Sequence, residues 1–281
     1  MANWHSHHAA VNGIDLHFIE AGTGPPVMLL HGFPEHSYSW RKQIPALAAA
    51  GFRAIAPDLR GYNESSRPPR VEDYRLTVVA QDIAALIEHV GAPVALAGHD
   101  WGALTAWYVA MTRPELLRKL VILNVPHPVP FSRELHRSTS QKLRMAYQLF
   151  FRPPWIPELL MPALLPLMMR RAGRFSAEDI ATYRAAWRKE GALRGMANYY
   201  RAMAVKQNRR ELRELVRRID IPTLLIFAKH EPVFTRETTE DFDEWVPNLR
   251  IARVARAGHY VQTDQPEIVN ALLIEFLRPK D

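Results

Sequence analysis

Short apolar runs recur along the chain with amphipathic helical stretches between them, and this alternation limits the fold more than any other feature. The runs are Pro26–Leu30, Phe52–Ala56, Val94–Ala97, Lys119–Leu123, Thr223–Phe227 and, more weakly, Arg250–Val254. Strands buried on both faces of a sheet read in this way, as continuous stretches of Val, Ile and Leu. Helical patterns cover Leu76–Val90, stopped by Gly91 and Pro93, then Ala103–Met111 and Glu267–Leu277. Strand, helix and strand in repetition predict an α/β protein with a doubly wound, mostly parallel sheet. Such sheets carry their sites on loops beyond the carboxyl ends of the strands. Here those loops hold HGFPE (31–35), GHDWG (98–102), KHEP (229–232) and AGHY (257–260).

The rhythm breaks between about Pro130 and Arg218. That stretch has no convincing strand, is rich in Met, Trp, Tyr and Arg, and contains prolines at 153, 154, 157, 162 and 166. It predicts a helical insertion covering the active edge of the sheet. Residues 1–130 and 219–281 then form one core domain, and 131–218 the insertion. A chain of 281 residues, 48% hydrophobic, has enough apolar surface for such a core.

The formal charge of +7 gathers between Arg133 and Arg218, in stretches such as NRRELRELVRR. Glu and Arg alternate there at helical spacing, which reads as solvated helix faces. No nucleic-acid-binding motif accompanies the charge, so no nucleic-acid partner is expected. The chain has no cysteine, which excludes disulfides, thiolate metal sites and a cysteine nucleophile. Neither a metal nor a cofactor is expected. The N-terminus lacks a charged start followed by an apolar core, so no secretory signal is read there. No apolar run reaches the roughly 20 residues of a membrane-spanning helix. A cytoplasmic protein, monomeric or homodimeric, is the expectation.

Gly98-His99-Asp100-Trp101-Gly102 follows a strand and opens a helix, the pattern of a nucleophile elbow. The turn is tight, so small flanks are required, and the helix N-terminus behind it favours negative charge. Aspartate stands where many such enzymes have serine. A carboxylate is already ionised at neutral pH and displaces a leaving group from saturated carbon, giving an alkyl ester. The plainer alternative, Asp100 as a helix cap, does not account for both flanking glycines.

Hydrolysing that ester needs a base to activate water. His259, after the last strand, has the position for it. Glu231, just past the Thr223–Phe227 run, suits the acid that orients the imidazole, with Asp220, Glu240 and Asp243 as competitors; the order nucleophile, acid, histidine is that of the hydrolase elbow enzymes. Charge developing on the ester carbonyl oxygen calls for two fixed donors: the backbone N–H groups of Trp101 and Phe33.

HGFPE, PDLRGY (57–62), GHDWG, LNVPHP (123–128) and GHYVQTDQPEIVN (258–270) resemble, in order, the landmarks of the epoxide hydrolases of the α/β-hydrolase fold. The likeness spans nearly the whole chain and implies that fold, with residues 131–218 as its helical cap. It also implies two cap tyrosines that hydrogen-bond the epoxide oxygen. Tyr147 matches one, in Tyr147-Gln148-Leu149-Phe150-Phe151, and Tyr200 the other, in Asn198-Tyr199-Tyr200-Arg201. Glu35 would help place the hydrolytic water, with His31 and His99 as further substrate- or water-positioning residues.

Two positions depart from the pattern. The usual orienting aspartate is Glu231, and the usual Gly-Tyr-Gly is Gly61-Tyr62-Asn63, where asparagine is the common substitute at positive φ. The expected reaction turns a small lipophilic epoxide and water into a vicinal diol. GHDWG is shared with haloalkane dehalogenases, which makes halide displacement the alternative; a non-catalytic ligand-binding relative is a third reading. Phe33, Trp101 and Tyr147 stand where dehalogenases usually differ. The apolar stretch Trp155–Met169 suits a lipophilic substrate, and its prolines argue against a long amphipathic helix lying on a membrane.

Overall fold

The computed structural model describes residues 4–278; Met1–Asn3, the start of the stretch read as lacking a signal, lie outside them. Two strands open the chain, β1 (His5–Val11) and β2 (Ile14–Ala21), followed by β3 (Pro26–Leu30) and helix α1 (Gln43–Ala49). Then come β4 (Arg53–Pro57), α2 (Leu76–Val90), β5 (Val94–His99), α3 (Trp101–Thr112) and β6 (Leu117–Leu123). The helices α4 (Pro128–Arg137), α5 (Thr139–Met145), α6 (Ile156–Ala172), α7 (Ala177–Trp187), α8 (Ala192–Ala204) and α9 (Lys206–Glu214) separate β6 from β7 (Thr223–Ala228). β8 (Leu249–Val254), α10 (Val261–Asp264) and α11 (Pro266–Leu277) complete it.

The strands form one eight-stranded sheet in the order β1-β2-β4-β3-β5-β6-β7-β8. Pairing is parallel from β4 to β8 and antiparallel at β1–β2 and β2–β4. The apolar runs are continuous because each side of the sheet is covered. Met28, Leu30, Leu96, Ile122 and Leu225 point to the layer of α2 and α3. Val27, Leu29, Ala95, Ala97, Val121 and Leu123 point to the layer of α1 and α11. Alternate residues of one run thus fill two cores, as the twofold side-chain period of a strand requires.

The six expected strands are present within one or two residues of their read limits. The hairpin β1–β2 was not expected. Its first strand, HSHHAAV, is an edge strand with exposed histidines and no apolar run. The signal that marks it is Asn12-Gly13, both at positive φ (46° and 74°), a pair suited to a tight hairpin turn. Asn63 also has positive φ (41°), so asparagine does keep the turn in the Gly-Tyr-Asn departure.

No strand lies between residues 128 and 218, and the first helix of the insertion starts at Pro128. The prolines at 162 and 166 correct one expectation: α6 runs unbroken through both. Each proline removes one helical N–H donor, but α6 is anchored on one side by buried Pro157, Met161, Leu165 and Met169 at every fourth position.

Candidate active site

β5 is buried along its whole length at the centre of the sheet, and it ends in the elbow. Asp100 has φ 50° and ψ −119°, a strained conformation for a residue with a side chain. A β-carbon on Gly98 would meet the Gly102 carbonyl, and one on Gly102 would meet the Leu30 and His31 carbonyls. Those two close approaches explain why both flanks are glycine. The turn lifts the Asp100 carboxylate to the N-terminus of α3.

His259 Nε2 lies 3.6 Å from Asp100 Oδ2. On the other side of the ring, Nδ1–H donates to Glu231, 3.0 Å from Oε2 and 3.1 Å from Oε1. Glu231 Oε1 also accepts the Val233 N–H at 2.7 Å, which holds the carboxylate edge-on to the imidazole. Of the competing acids, Asp220 pairs with Arg218, and neither Glu240 nor Asp243 hydrogen-bonds His259. The longer glutamate therefore reaches the place where an aspartate was expected from the resemblance.

Burial pushes the Asp100 carboxyl up, but His259, His99 and the Phe33 N–H outweigh it and hold Asp100 below the usual carboxylate range. Burial likewise pushes the His259 imidazole down, and the charges of Glu231 and Asp100 reverse this, leaving it well above the ordinary value. Both effects favour an ionised carboxylate in the resting site.

The Phe33 N–H donates to Asp100 Oδ1 at 2.7 Å. The Trp101 N–H, at the first position of α3, makes no bond to the carboxylate. As a first-turn amide it has no partner within the helix either.

Tyr147 and Tyr200 line the same cavity as Asp100, of about 550 Å³, together with Trp101, Leu104 and Phe131. Tyr200 stacks on Phe151 (centroids 4.0 Å) and meets Trp101 edge-on. Its neighbour Tyr199 turns away and donates to the Arg60 carbonyl at 2.9 Å. Tyr147 stands at the rim, 40% exposed. Burial, ahead of neighbouring charges, raises the pKa of both cavity phenols, so both keep their protons at neutral pH.

Three polar residues lie fully buried around the site. Glu35, expected from the resemblance to help place the hydrolytic water, is fully buried. Tyr183 donates to its Oε1 (3.0 Å) and Gln262 Nε2 to its Oε2 (3.3 Å). His99 has both ring nitrogens occupied: Nε2–H donates to the His259 carbonyl (2.8 Å), and Nδ1 accepts from Gln262 (3.2 Å). His31 is used the same way, on the Gly32 carbonyl (3.0 Å) and the Leu59 N–H (2.9 Å). His31 and His99, expected to position substrate or water, thus have both ring nitrogens engaged within the protein. Neither ring has a nitrogen left to offer, so each braces the backbone that carries the site.

Sequence reasoning missed Asn124 and Gln262. Asn124 Nδ2 donates to the carbonyls of His259 (2.6 Å) and Gly258 (3.1 Å), while its Oδ1 accepts the Ala228 N–H (2.7 Å). One side chain thereby ties the ends of β6 and β7 to the histidine loop. The available signal was an asparagine directly after a strand, at positive φ (64°). Gln262 had none beyond its place in a motif.

A mostly parallel sheet with a strand–elbow–helix at its centre and an acid and a histidine after its last strands defines an α/β-hydrolase. The chain belongs to the α/β-hydrolase fold family, whose sequence profile matches residues 25–266, and within it stands with the epoxide hydrolases. It is 37% identical over 278 residues to the AB hydrolase superfamily protein YfhM of Bacillus subtilis, covering 95% of this chain and 96% of that one. It is 33% identical to epoxide hydrolase 4 of Homo sapiens over 95% of this chain and 76% of that protein. A crystal structure of a mutant epoxide hydrolase from Bacillus megaterium superposes with a TM-score of 0.87 at 32% identity, covering 96% of this chain and 99% of that one.

Proposed function

We propose that the enzyme hydrolyses epoxides to vicinal diols in two steps, with residues 131–218 acting as a cap over the site. The observation that carries this reading is one cavity holding an ionised aspartate and two protonated phenols. The aspartate suits attack on carbon, and phenols suit protonation of a strongly basic leaving oxygen.

In the first step an Asp100 carboxylate oxygen bonds to a ring carbon of the epoxide. The carbon–oxygen bond of the ring breaks, and its electron pair stays on oxygen. That oxygen takes a proton from Tyr147 or Tyr200, leaving a hydroxyl beside the new ester. In the second step neutral His259 removes a proton from water, and the hydroxide adds to the ester carbonyl carbon of Asp100. The Phe33 and Trp101 N–H groups meet the charge that forms on the carbonyl oxygen. Collapse expels the diol oxygen, which takes the proton from the His259 imidazolium, while the proton of the added hydroxyl passes to the tyrosinate, restoring both the phenol and the Asp100 carboxylate. Glu231 holds the His259 tautomer and balances the imidazolium.

A single turnover in heavy-oxygen water, with enzyme in excess over an aryl epoxide, tests the scheme. Heavy oxygen is expected in the Asp100 carboxylate and not in the diol. Label in the first diol released, or halide release from bromoalkanes without diol formation from epoxides, overturns it.

A further inference from the structure

Helix α6 is apolar on its outer face as well as its buried one. Trp155, just before its first turn, is 80% exposed, Leu159 is 78% exposed, and Leu160, Leu164 and Leu167 are also open to solvent. A surface helix normally turns charge outward, and exposed apolar patches of this extent mark interaction sites. Cations close the patch at both ends: Arg152 before it, and Arg170, Arg171 and Arg174 after it, all exposed. None of these four has a carboxylate within ion-pair distance among the described residues. At the far end lies a groove of about 950 Å³ with an apolar floor of Leu164, Leu167 and Met168 and a rim of Arg171, Arg174 and Arg256.

We infer that this face docks on an anionic phospholipid bilayer, with α6 lying in the plane of the interface. The stretch Trp155–Met168 spans about 20 Å, short of the roughly 30 Å hydrocarbon core. No helix among the described residues is long and apolar enough to cross a membrane. An apolar face bearing tryptophan, with arginines at its margin, suits a helix lying at the acyl–headgroup boundary.

A second copy of the chain fits less well. A two-fold contact would put this face against itself, and arginine would meet arginine in either helix direction. The only acid in α6, Glu158, is already paired with Arg201 at 2.6 Å. Of the cavity lining, Tyr147, Gln148 and Arg152 lie shortly before α6 in the chain. The inference stands independently of the reaction proposed above.

Flotation of the full chain with vesicles tests it, using phosphatidylcholine alone or with about 30 mol% phosphatidylglycerol. The protein is expected to float only with the anionic vesicles, and less as salt rises. Leu159→Glu with Leu164→Glu is expected to abolish flotation with unchanged circular dichroism. Replacing Arg170, Arg171 and Arg174 by glutamine is expected to weaken it roughly fivefold per residue. Wild-type protein left in the aqueous fraction overturns the inference, as does undiminished flotation of either variant. So does a dimer, seen by sedimentation without lipid, that the two glutamates dissociate while vesicle binding is absent.

Discussion

The amide of Asn124 holds the backbone carbonyl of His259 at 2.6 Å, and the His99 ring donates to the same oxygen at 2.8 Å. Two donors on one carbonyl, one at the end of β5 beside the elbow and one just past β6, fix the loop on which the proposed base is mounted. The base is therefore positioned through its main chain as much as through its ring.

Asn124→Ala removes one of these donors, leaving the His259 carbonyl to His99 alone, and takes the side-chain partner from the Gly258 carbonyl and the Ala228 N–H. We expect ester hydrolysis to slow by about 10- to 100-fold, the equivalent of one well-placed hydrogen bond, with ester formation much less affected. Rapid-quench kinetics separates the steps: the variant should accumulate the alkyl-enzyme. Equal slowing of both steps would contradict the positioning role.

Tyr147→Phe and Tyr200→Phe each remove a phenol proton from the cavity while keeping the ring contacts. Either change alone should slow ester formation by about tenfold or more, because the other phenol can still donate. The double change should nearly abolish it. Single-turnover quench assays on an aryl epoxide read this directly, and an undiminished rate in the double variant rules out both assignments.

His259 sits well above its ordinary pKa because of Glu231 first and Asp100 second. Esterification of Asp100 removes one of these charges, so the imidazole should lose its proton more readily in the intermediate than in the free enzyme. Hydrolysis of the alkyl-enzyme should then rise with pH at a midpoint below the His259 titration of free enzyme, measured by NMR. Glu231→Gln should lower both midpoints. A midpoint unchanged by the substitution would mean that Glu231 does not tune the base.

Two other histidines predict acid sensitivity of the fold. Burial drives His36 and His127 from 6.5 down to about 4. Each folded-state value is depressed, so the unfolded chain takes up the proton first. Their neutral burial is fully compatible with the native state above pH 6.5, and stability is lost as pH falls from there toward 4, by up to about 3 kcal/mol each. His259 has the opposite sign; its contribution is complete below 6.5 and does not offset the loss. Urea midpoints should fall steadily across this window, and His127→Gln should flatten the slope. A flat profile in the wild type would refute the assignment.

Much of this protein was legible in one dimension. Strand runs such as Pro26–Leu30 and Val94–Ala97 declare themselves because both sheet faces are covered, and every residue in them must be apolar. Gly98-His99-Asp100-Trp101-Gly102 is legible because a tight turn admits only small flanks, and the identity of its central residue follows from local chemistry. The edge strand His5–Val11 was hidden, since one partner and open solvent impose no apolar pattern.

Which of several acids meets His259 and where the nitrogens of His31 and His99 point were open until the chain folded, and only the resemblance, not local pattern, singled out Tyr200 over Tyr199. Each depends on contacts between residues far apart in sequence: 28 positions for Glu231 and His259, 160 for His99 and the His259 carbonyl. Local pattern carries the period of a strand and the shape of a turn, whereas a hydrogen bond across such distances exists only once the sheet has brought its ends together.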